Sequence, residues 1–309
     1  MLEAQDMFTP APDFATTVGC RTLDVFDSEG GVRVPTWVLY PAHAPESLEH
    51  FGPYPLSVAS NVPIIGSQLP LVVISHGTGG FPFTHRDLAA QLCRAGFVVA
   101  LPEHTGNSRT DNSAAHTAAN LANRPRQIRR LLDAIFADPE LSPRLLPGEV
   151  FMIGHSIGAY TALALAGGRP TCFPHESPDG QAQPVPVLAD RRLRALVLLA
   201  PATPWFMRQG ALSEVDLPIL MYTGARDELA PADFHGAIVL LGVRNPARVR
   251  HRVVENAGHF SFQSPFPSEM VRPDFAPSQD PPGIDRAALQ GVLADEIIAF
   301  LREQRQAAR

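Results

Sequence analysis

A serine lies between two glycines near the middle of the chain, where an apolar run ends. Residues 151–159 read Phe-Met-Ile-Gly-His-Ser-Ile-Gly-Ala. The pattern Gly154-x-Ser156-x-Gly158 is typical of a serine exposed on a sharp turn between a strand and a helix. Such a turn strains the serine backbone, and it needs glycines where a Cβ would collide with the neighbouring elements. The pattern predicts Ser156 as a nucleophile, and a tight turn without chemistry is the alternative.

Two groups that could activate this serine follow it along the chain. A serine hydroxyl needs a general base, and the base needs a carboxylate that orients it. When the serine lies on this kind of turn, the order along the chain is serine, acid, histidine. We predict that Asp227, at a turn after the apolar run 217–223, is the acid and that His259 is the base. Glu228 is the main alternative acid. His104 is the rival base, but it precedes the serine, so we assign it to the pocket.

Two backbone amides are candidates for stabilising the oxyanion that forms when a serine attacks a carbonyl. The amide of Ile157, directly after the serine, is one predicted donor. The loop 75–80, Ser-His-Gly-Thr-Gly-Gly, contains three glycines that let the backbone approach a substrate closely. We predict the amide of Thr78 as the second donor, with Gly79 as the alternative. A phosphate cradle is the competing interpretation, but the loop lacks the glycine spacing and the lysine of such cradles.

Apolar runs alternating with helix-like segments supply the elements that would position these groups. The runs lie at residues 71–74, 97–101, 150–153, 193–200 and 218–222, and a further strand is predicted near 248–254. Short, fully apolar strands of this kind are typical of a parallel sheet that helices cover on both faces. Residues 21–26 and 32–40, joined by a turn, predict an antiparallel pair before that sheet. We therefore predict an α/β-hydrolase fold, with a mostly parallel central sheet flanked by helices and an antiparallel N-terminal strand pair.

The remaining segments complete this outline. Helices are predicted near residues 84–95, 123–137, 156–167, 231–242 and 284–305. Residues 41–69 are rich in Pro, Ser and Gly and are interpreted as a long surface loop. Residues 168–192 form an irregular insertion, which is a lid or pocket wall or else a mobile surface loop. Without an internal repeat or a clear linker, residues 1–309 are predicted to form a single domain.

Composition argues against several classes of function. The 309 residues are 45% hydrophobic and 18% charged, which is typical of a globular protein. The net charge of -6 and the lack of a long Lys/Arg run argue against a nucleic-acid partner. No apolar run reaches the roughly 18 residues of a membrane helix, and no metal-binding spacing is present. We expect no nucleic acid, no membrane span, no metal and no cofactor, and we leave the oligomeric state open.

The N-terminus and the cysteines bear on the compartment. The first twelve residues, Met-Leu-Glu-Ala-Gln-Asp-Met-Phe-Thr-Pro-Ala-Pro, contain early acids and neither a basic start nor a long apolar stretch. They do not predict a signal peptide, so we expect a cytoplasmic protein. Cys20, Cys93 and Cys172 are an odd count at irregular spacing, which argues against a disulfide framework and a zinc site. An exported form with a trimmed leader and one disulfide involving Cys172 is the alternative.

Several aromatic and small residues near the predicted loops could line an apolar pocket, although a role in the core is an equal alternative for each. They are Gly79, Phe81, Phe83, His104, Trp205, Phe206, Phe260 and Phe262.

From about residue 15 to 305, the chain resembles the bacterial "predicted dienelactone hydrolase" group. That group is related to the platelet-activating-factor acetylhydrolases and, more distantly, to cutinase-like polyester hydrolases. The resemblance lies in residues 75–80, 100–108, 123–125, 154–158 and 257–260. It implies a serine esterase with the triad Ser156, Asp227 and His259 and with oxyanion amides at Thr78 and Ile157. True dienelactone hydrolases use a cysteine nucleophile, so lactone hydrolysis does not follow for a chain with a serine there.

These observations predict a cofactor-independent serine carboxylic-ester hydrolase that acts through an acyl-enzyme on small to medium esters. An acyltransferase or perhydrolase would use the same triad with another acceptor. A non-catalytic, hydrolase-like binding protein is the alternative from another class, but such proteins usually lose a member of the triad. The expected partner is a small-molecule ester.

Overall fold

The computed structural model describes residues 16–307, and a ten-stranded sheet runs through them. The strands are β1 (Thr17–Asp27), β2 (Val32–Ala42), β3 (Ser47–Phe51), β4 (Tyr54–Ser60), β5 (Leu69–Ser75), β6 (Val98–Pro102), β7 (Leu145–His155), β8 (Leu193–Leu199), β9 (Ile219–Gly224) and β10 (Val249–Val254). Their order across the sheet is β10-β9-β8-β7-β5-β6-β2-β1-β4-β3. The six strands from β10 to β6 are parallel to their neighbours, so their carboxyl ends share one edge.

Five helices cover the two faces of the sheet. They are α1 (Arg86–Arg94), α2 (Ala118–Ala137), α3 (Ile157–Leu165), α4 (Ala237–Gly242) and α5 (Arg286–Ala307). Apolar residues of α1 and α5 pack in one core layer, and those of α2, α3 and α4 pack in the other. Every residue of β5, β6 and β9 is buried, because helices cover both of their faces.

The predicted α/β-hydrolase fold with its antiparallel N-terminal pair is confirmed. Strands β1 and β2 pair antiparallel from Thr17 opposite Ala42 to Asp27 opposite Val32. Strand β2 then joins the parallel part of the sheet by pairing antiparallel with β6.

The prediction of a long surface loop over residues 41–69 is wrong, because this segment contains the hairpin β3–β4. Phe51 pairs with Tyr54, so Gly52 and Pro53 form a two-residue turn, and Gly52 has a φ of +58°. A glycine with positive φ at the first turn position is typical of a tight hairpin. Strand β4 also pairs in parallel with β1, which extends the sheet by two strands.

Helix α2 begins earlier than predicted and contains a proline. Thr117 caps it, its Oγ1 accepting from the amide of Asn120 at 3.1 Å. Pro125 has no amide hydrogen, so it cannot donate to the carbonyl of Leu121, four residues earlier. The hydroxyl of Tyr160 in α3 donates to that carbonyl instead, at 3.0 Å. The freed carbonyl therefore links α2 to α3, which allows the helix to continue through the proline.

The other predicted helices are found with shifted ends. The helix predicted near 231–242 is a π-helical turn, Ala232–Gly236, followed by α4. Within residues 16–307, no helix is both long and apolar enough to cross a membrane. Cys20, Cys93 and Cys172 are buried free thiols. The first twelve residues, for which we predict no signal peptide, lie outside the described residues.

The two outermost strands have polar and ionic side chains. Strand β3 carries Glu49 and His50, and strand β10 carries Arg250 and Arg252, whose side chains are exposed. Nη1 of Arg250 donates to Glu303 of α5 at 2.7 Å. Each outermost strand also exposes one large apolar side chain, Leu48 on β3 and Val253 on β10, so polar and apolar groups share the free edges of the sheet.

Candidate active site

Ser156 lies between the end of β7 and the start of α3, on the sharp turn that the sequence pattern predicts. Its φ is +56° and its ψ is -120°, a conformation that non-glycine residues rarely adopt. A Cβ at Gly154 would overlap the carbonyl oxygen of Gly158, and a Cβ at Gly158 would overlap the carbonyl oxygen of Ser75. The two glycines therefore let the turn pack against its own helix and against β5.

Substituting Gly158 tests this packing. We expect Gly158→Ala to lower the free energy of unfolding by roughly 3 kcal/mol, because the clash is with the backbone and no side chain can move aside. Gly291 is the matched control, since it lies inside α5 with open space around its Cα. We expect Gly291→Ala to stabilise the protein by about 0.5–1 kcal/mol. Urea unfolding measures both, and equal stability of the two variants would contradict the packing argument.

His259 and Asp227 reach Ser156 from the loops that follow β10 and β9. Nε2 of His259 lies 2.9 Å from Oγ of Ser156, and Nδ1 lies 2.8 Å from Oδ2 of Asp227. A carboxylate only accepts hydrogen bonds, so Nδ1 carries the hydrogen and Nε2 presents its lone pair to the serine hydroxyl. The structure thus brings the three predicted catalytic side chains into one hydrogen-bonded chain. Glu228, the alternative acid, is exposed.

The carboxylate of Asp227 is held in place by backbone amides. Its Oδ1 accepts from the amides of Leu229 at 3.0 Å and Ala230 at 2.7 Å. Burial by itself would raise the pKa of Asp227, but the bond with His259 and the two amides together lower it below its usual value. The group is therefore an anion at neutral pH, as an orienting carboxylate must be.

The loop that carries His259 is packed closely against its surroundings. A Cβ at Gly224, the last residue of β9, would overlap the carbonyl oxygen of Ala257. Nε2 of His155 lies 2.9 Å from the carbonyl oxygen of His259, a bond in which the imidazole is the donor. The residue before the serine therefore holds the backbone of the residue that would act as its base.

The predicted oxyanion donors belong to the turn 77–80 and to the first residue of α3. Gly77 to Gly80 form a tight turn, with the amide of Gly80 donating to the carbonyl of Gly77 at 3.1 Å and Gly79 at a φ of +60°. A Cβ at Gly77 would lie 3.3 Å from Cβ of Ser156, so this turn runs directly beside the serine. Thr78 and Gly79 are exposed there. Ile157 is the first residue of α3, where an amide has no partner within the helix.

The predicted pocket residues are in different environments. Trp205 and Phe260 are half-buried, and the ring of Phe260 meets the ring of His259 edge-on at 5.2 Å. Phe81 is buried against Trp37 and Tyr54 in an aromatic cluster. Gly79 lies on the exposed turn beside the serine.

The prediction that His104 lines the pocket is wrong. His104 has no exposed surface, and its ring nitrogens lie 2.8 Å from Oγ of Ser75 and 3.0 Å from Oε1 of Gln127. It follows β6, as the sequence indicates, but its ring turns beneath the loop 75–80 because two buried polar partners are available there.

The insertion 168–192 is joined by hydrogen bonds to the loop that follows β8. The amide of Thr171 donates to the carbonyl of Trp205 at 2.9 Å. Nε1 of Trp205 donates to the two carboxylate oxygens of Glu176, at 3.0 and 2.9 Å. The indole also meets the ring of Tyr160 edge-on at 5.0 Å, which links the insertion to α3. No sequence pattern singled out Glu176, because its partner is distant along the chain.

Comparison with known proteins gives this arrangement a family. Residues 71–236 match the model of the alpha/beta hydrolase family, and this is more than half of the chain. The chain belongs to the alpha/beta hydrolase family. No curated protein matches the sequence significantly.

Two solved structures show the same fold. A ferulic acid esterase from Streptomyces cinnamoneus is 20% identical, with a TM-score of 0.69 over 95% of this chain and 92% of that one. A dienelactone hydrolase-like promiscuous phosphotriesterase from metagenomic libraries is 16% identical, with a TM-score of 0.56 over 92% of this chain and 99% of that one. Because both identities are 20% or lower, these similarities establish only that this α/β-hydrolase shares the fold of the two proteins.

Four histidines beside the site are buried and neutral. Burial lowers the pKa of His76 to about 3 and that of His85 to about 4. It also lowers the pKa values of His104 and His155 well below their usual range. Unfolding would restore ordinary histidine values near 6.5. The unfolded chain therefore binds more protons than the folded hydrolase below that pH.

This difference predicts a steep loss of stability in acid. Because the folded-state pKa values are depressed, stability is fully present above about pH 6.5 and is lost as the pH falls towards 4. Each histidine contributes a slope of up to about 1.4 kcal/mol per pH unit. We expect His85→Leu to reduce that slope by one such increment. Urea unfolding at several pH values measures this, and a flat stability between about pH 7 and 5 would contradict it.

Proposed function

We propose that this α/β-hydrolase is a serine carboxylic-ester hydrolase that acts through an acyl-enzyme on small to medium esters. The supporting observation is the hydrogen-bonded chain from Ser156 through His259 to Asp227, with the serine held at positive φ on its turn. This arrangement is the one that activates a serine hydroxyl for attack on a carbonyl.

In the proposed first step, Oγ of Ser156 forms a bond to the ester carbonyl carbon while its proton passes to Nε2 of His259. The electron pair of the carbonyl moves onto its oxygen, and the amides of Ile157 and Thr78 donate to that oxyanion. The anionic carboxylate of Asp227 stabilises the imidazolium that forms. When the carbonyl re-forms, the bond to the alkoxy group breaks, and the alcohol leaves with the proton from His259.

In the second step, water releases the acid. His259 removes a proton from a water molecule, whose oxygen attacks the acyl carbon, and the same two amides hold the second oxyanion. The bond to Oγ then breaks, Ser156 recovers its proton from His259, and the carboxylic acid leaves. Each group returns to its starting protonation state, so the cycle needs no cofactor.

We further propose that the insertion 168–192 is a pocket wall of this esterase. Its hydrogen bonds to Trp205 support a fixed position rather than a swinging lid. Trp205 follows β8 closely, and the amide of Ala202 in the same loop donates to the carbonyl of Ser156 at 3.1 Å. The indole therefore belongs to a loop that is bonded directly to the nucleophile residue.

A covalent trapping experiment tests the proposal. The protein is incubated with a fluorophosphonate, which phosphonylates an activated serine, and the modified peptide is identified by mass spectrometry. We expect one label per chain, on Ser156, together with hydrolysis of p-nitrophenyl esters. The panel should run from acetate to laurate and include a feruloyl ester, because one structural relative is a ferulic acid esterase. Neither labelling nor hydrolysis above background would overturn the proposal and leave a non-catalytic binding protein as the alternative.

Product analysis distinguishes the acceptor. With an alcohol or peroxide present, a hydrolase should still give mainly the free acid. A predominant transesterified or peracid product would instead identify an acyltransferase or perhydrolase that uses the same acyl-enzyme.

A further inference from the structure

Arg124, in α2, is a fully buried arginine without an acidic partner. None of its side chain is exposed, and no carboxylate among residues 16–307 lies within ion-pair distance of its guanidinium. Burial lowers its pKa to about 9, which still leaves it a cation at neutral pH. Buried charges are normally paired, because removing a charge from water is costly. An unpaired buried cation therefore calls for an explanation other than packing.

The guanidinium donates to four neutral oxygens instead. Nε donates to Oγ1 of Thr161 at 3.1 Å, and Nη1 donates to Oδ1 of Asn107 at 2.8 Å. Nη2 donates to Oγ of Ser75 at 3.2 Å and to the carbonyl oxygen of His76. These acceptors come from the loop 75–80, the loop after β6 and helix α3. One side chain thus joins three separate elements around Ser156.

Two of these contacts lead to the residues proposed to bind the oxyanion. Thr161, which accepts from Arg124, donates its own hydroxyl hydrogen to the carbonyl of Ile157 at 3.0 Å. The carbonyl of His76 begins the turn that carries Thr78. The guanidinium is therefore bonded, directly or through Thr161, to both segments that carry the proposed amides.

The neighbouring histidines fix the direction of every bond on the loop side. Nδ1 of His76 bonds to the carbonyl of Gly77 at 2.8 Å, so it carries the hydrogen, and Nε2 accepts from the amide of His104 at 3.1 Å. Because Ser75 accepts from Arg124, its own hydrogen is free to go to Nε2 of His104. Nδ1 of His104 in turn donates to Oε1 of Gln127. This set of hydrogen bonds requires the imidazoles of His76 and His104 to be neutral. Their burial favours the neutral form of both.

We infer that Arg124 is a positioning residue that holds the loop 75–80 and the start of α3 at the separation needed for two amides to meet one oxyanion. This inference rests on the proposed function. The rigid fork of a guanidinium can reach four oxygens in different directions, whereas an ammonium group on a flexible stem cannot keep the same set. Arg124→Lys therefore keeps the positive charge but loses the set of four directed hydrogen bonds.

The first test compares kinetic constants on a p-nitrophenyl ester. We expect Arg124→Lys to lower kcat about 10- to 100-fold and to change KM less than about threefold, because the two amides act mainly on the transition state. Arg126→Gln is the matched control. Arg126 lies two residues away on α2 and bonds to buried Asp27 at 2.8 Å, so its loss destabilises the fold without touching the loop. An Arg124→Lys variant that is folded and has a kcat within twofold of wild type would overturn the inference, as would an equal loss of kcat in Arg126→Gln.

The second test compares the inhibition constants of two inhibitors, and a general loss of stability would not change one without the other. An alkyl boronic acid forms a tetrahedral adduct with a catalytic serine and so mimics the transition state. Its inhibition constant should rise in Arg124→Lys by about the same factor as kcat/KM falls, while that of the product acid stays the same. A parallel weakening of both inhibitors would overturn the inference. If Arg124→Lys does not fold, Thr161→Val provides the same comparison for the Ile157 side, with an expected loss in kcat of about three- to tenfold.

Hydrogen exchange separates this inference from the proposed function. If the wild type is neither labelled nor active, the esterase proposal fails, and the positioning role is judged from the backbone amides of residues 75–80 alone. We expect these amides to exchange at least about tenfold faster in Arg124→Lys than in wild type, because the loop loses its anchor. Unchanged exchange would overturn the inference whether or not the protein hydrolyses esters.

Discussion

Replacing Ser156 with alanine should reduce kcat on a p-nitrophenyl ester about 10⁵-fold, to little more than the rate supported by the amides and by binding. The proposed acyl-enzyme cannot form without Oγ, and in this structure that atom lies 2.9 Å from the imidazole that would take its proton. The fold should be unaffected, because the backbone amide of Ser156 keeps its bond to the carbonyl of Leu199 at 3.0 Å. Steady-state kinetics with enzyme at high concentration would measure the residual rate.

A matched variant tests whether the loss of activity is specific to Ser156. Ser113 is exposed and bonds only within its own turn, to Asp111, so Ser113→Ala should retain full activity. Labelling by the fluorophosphonate should disappear in Ser156→Ala and persist in Ser113→Ala. If Ser156→Ala kept more than about one per cent of the wild-type kcat after repeated purification, another residue would have to be the nucleophile.

Replacing Asp227 with asparagine should have the next largest effect, a loss of about 10⁴-fold in kcat. The amide oxygen of asparagine would stay where Oδ1 accepts from Leu229 and Ala230, so its NH₂ group would face His259. Nδ1 would then have to accept a hydrogen bond, and the ring hydrogen would move to Nε2. An imidazole with hydrogen on Nε2 cannot take a proton from the serine, although every heavy atom remains in place.

The neighbouring acid provides the control for this substitution. Glu228 is exposed, so Glu228→Gln removes the same charge one residue away and should leave kcat within about twofold. Kinetics of the two variants at several pH values, together with urea unfolding, would separate catalysis from stability. A larger loss in Glu228→Gln than in Asp227→Asn would reverse the assignment of the acid.

The central sheet and the turn at Ser156 could be predicted from the sequence, because both depend on short-range patterns. Fully apolar runs such as 71–74 are needed wherever helices cover both faces of a strand. Gly154 and Gly158 are needed because the backbone leaves no room for a Cβ. Asp227 and His259 could be placed at the same edge because parallel strands end together there, although no sequence pattern indicates the hydrogen bonds between their side chains.

The hairpin β3–β4 was missed because the Pro, Ser and Gly content of residues 41–69 outweighed the alternation of Tyr54, Leu56 and Val58, which are buried in β4. The turn Gly52-Pro53 between Phe51 and Tyr54 was the available signal, since a glycine followed by proline favours a tight reversal there. The early start of α2 was missed for a different reason. A proline inside a helix usually interrupts it, but the hydroxyl of Tyr160, 35 residues away, satisfies the carbonyl that Pro125 leaves free.

The buried polar residues could not be predicted, because their partners are brought together only by the fold. His104 has the sequence context of a pocket residue, and its burial depends on Ser75 and Gln127. Arg124 belongs to the Asn-Arg-Pro stretch of the family resemblance, but nothing local indicates that its side chain points inward. A guanidinium is usually solvated, and only the surrounding oxygens make an interior position possible.

The charged side chains on the outermost strands bear on how this protein behaves when it is concentrated or partly unfolded. An open sheet offers unpaired backbone groups at its rims, and another chain can add a strand there and begin aggregation. At β10, an added strand would lie beside the exposed charged side chains of Arg250 and Arg252, of which Arg250 is paired with Glu303 of α5. At the opposite rim, the five-residue β3 offers only a short template that includes Glu49. The charges on β10 and the short length of β3 therefore oppose the addition of a further strand at either rim.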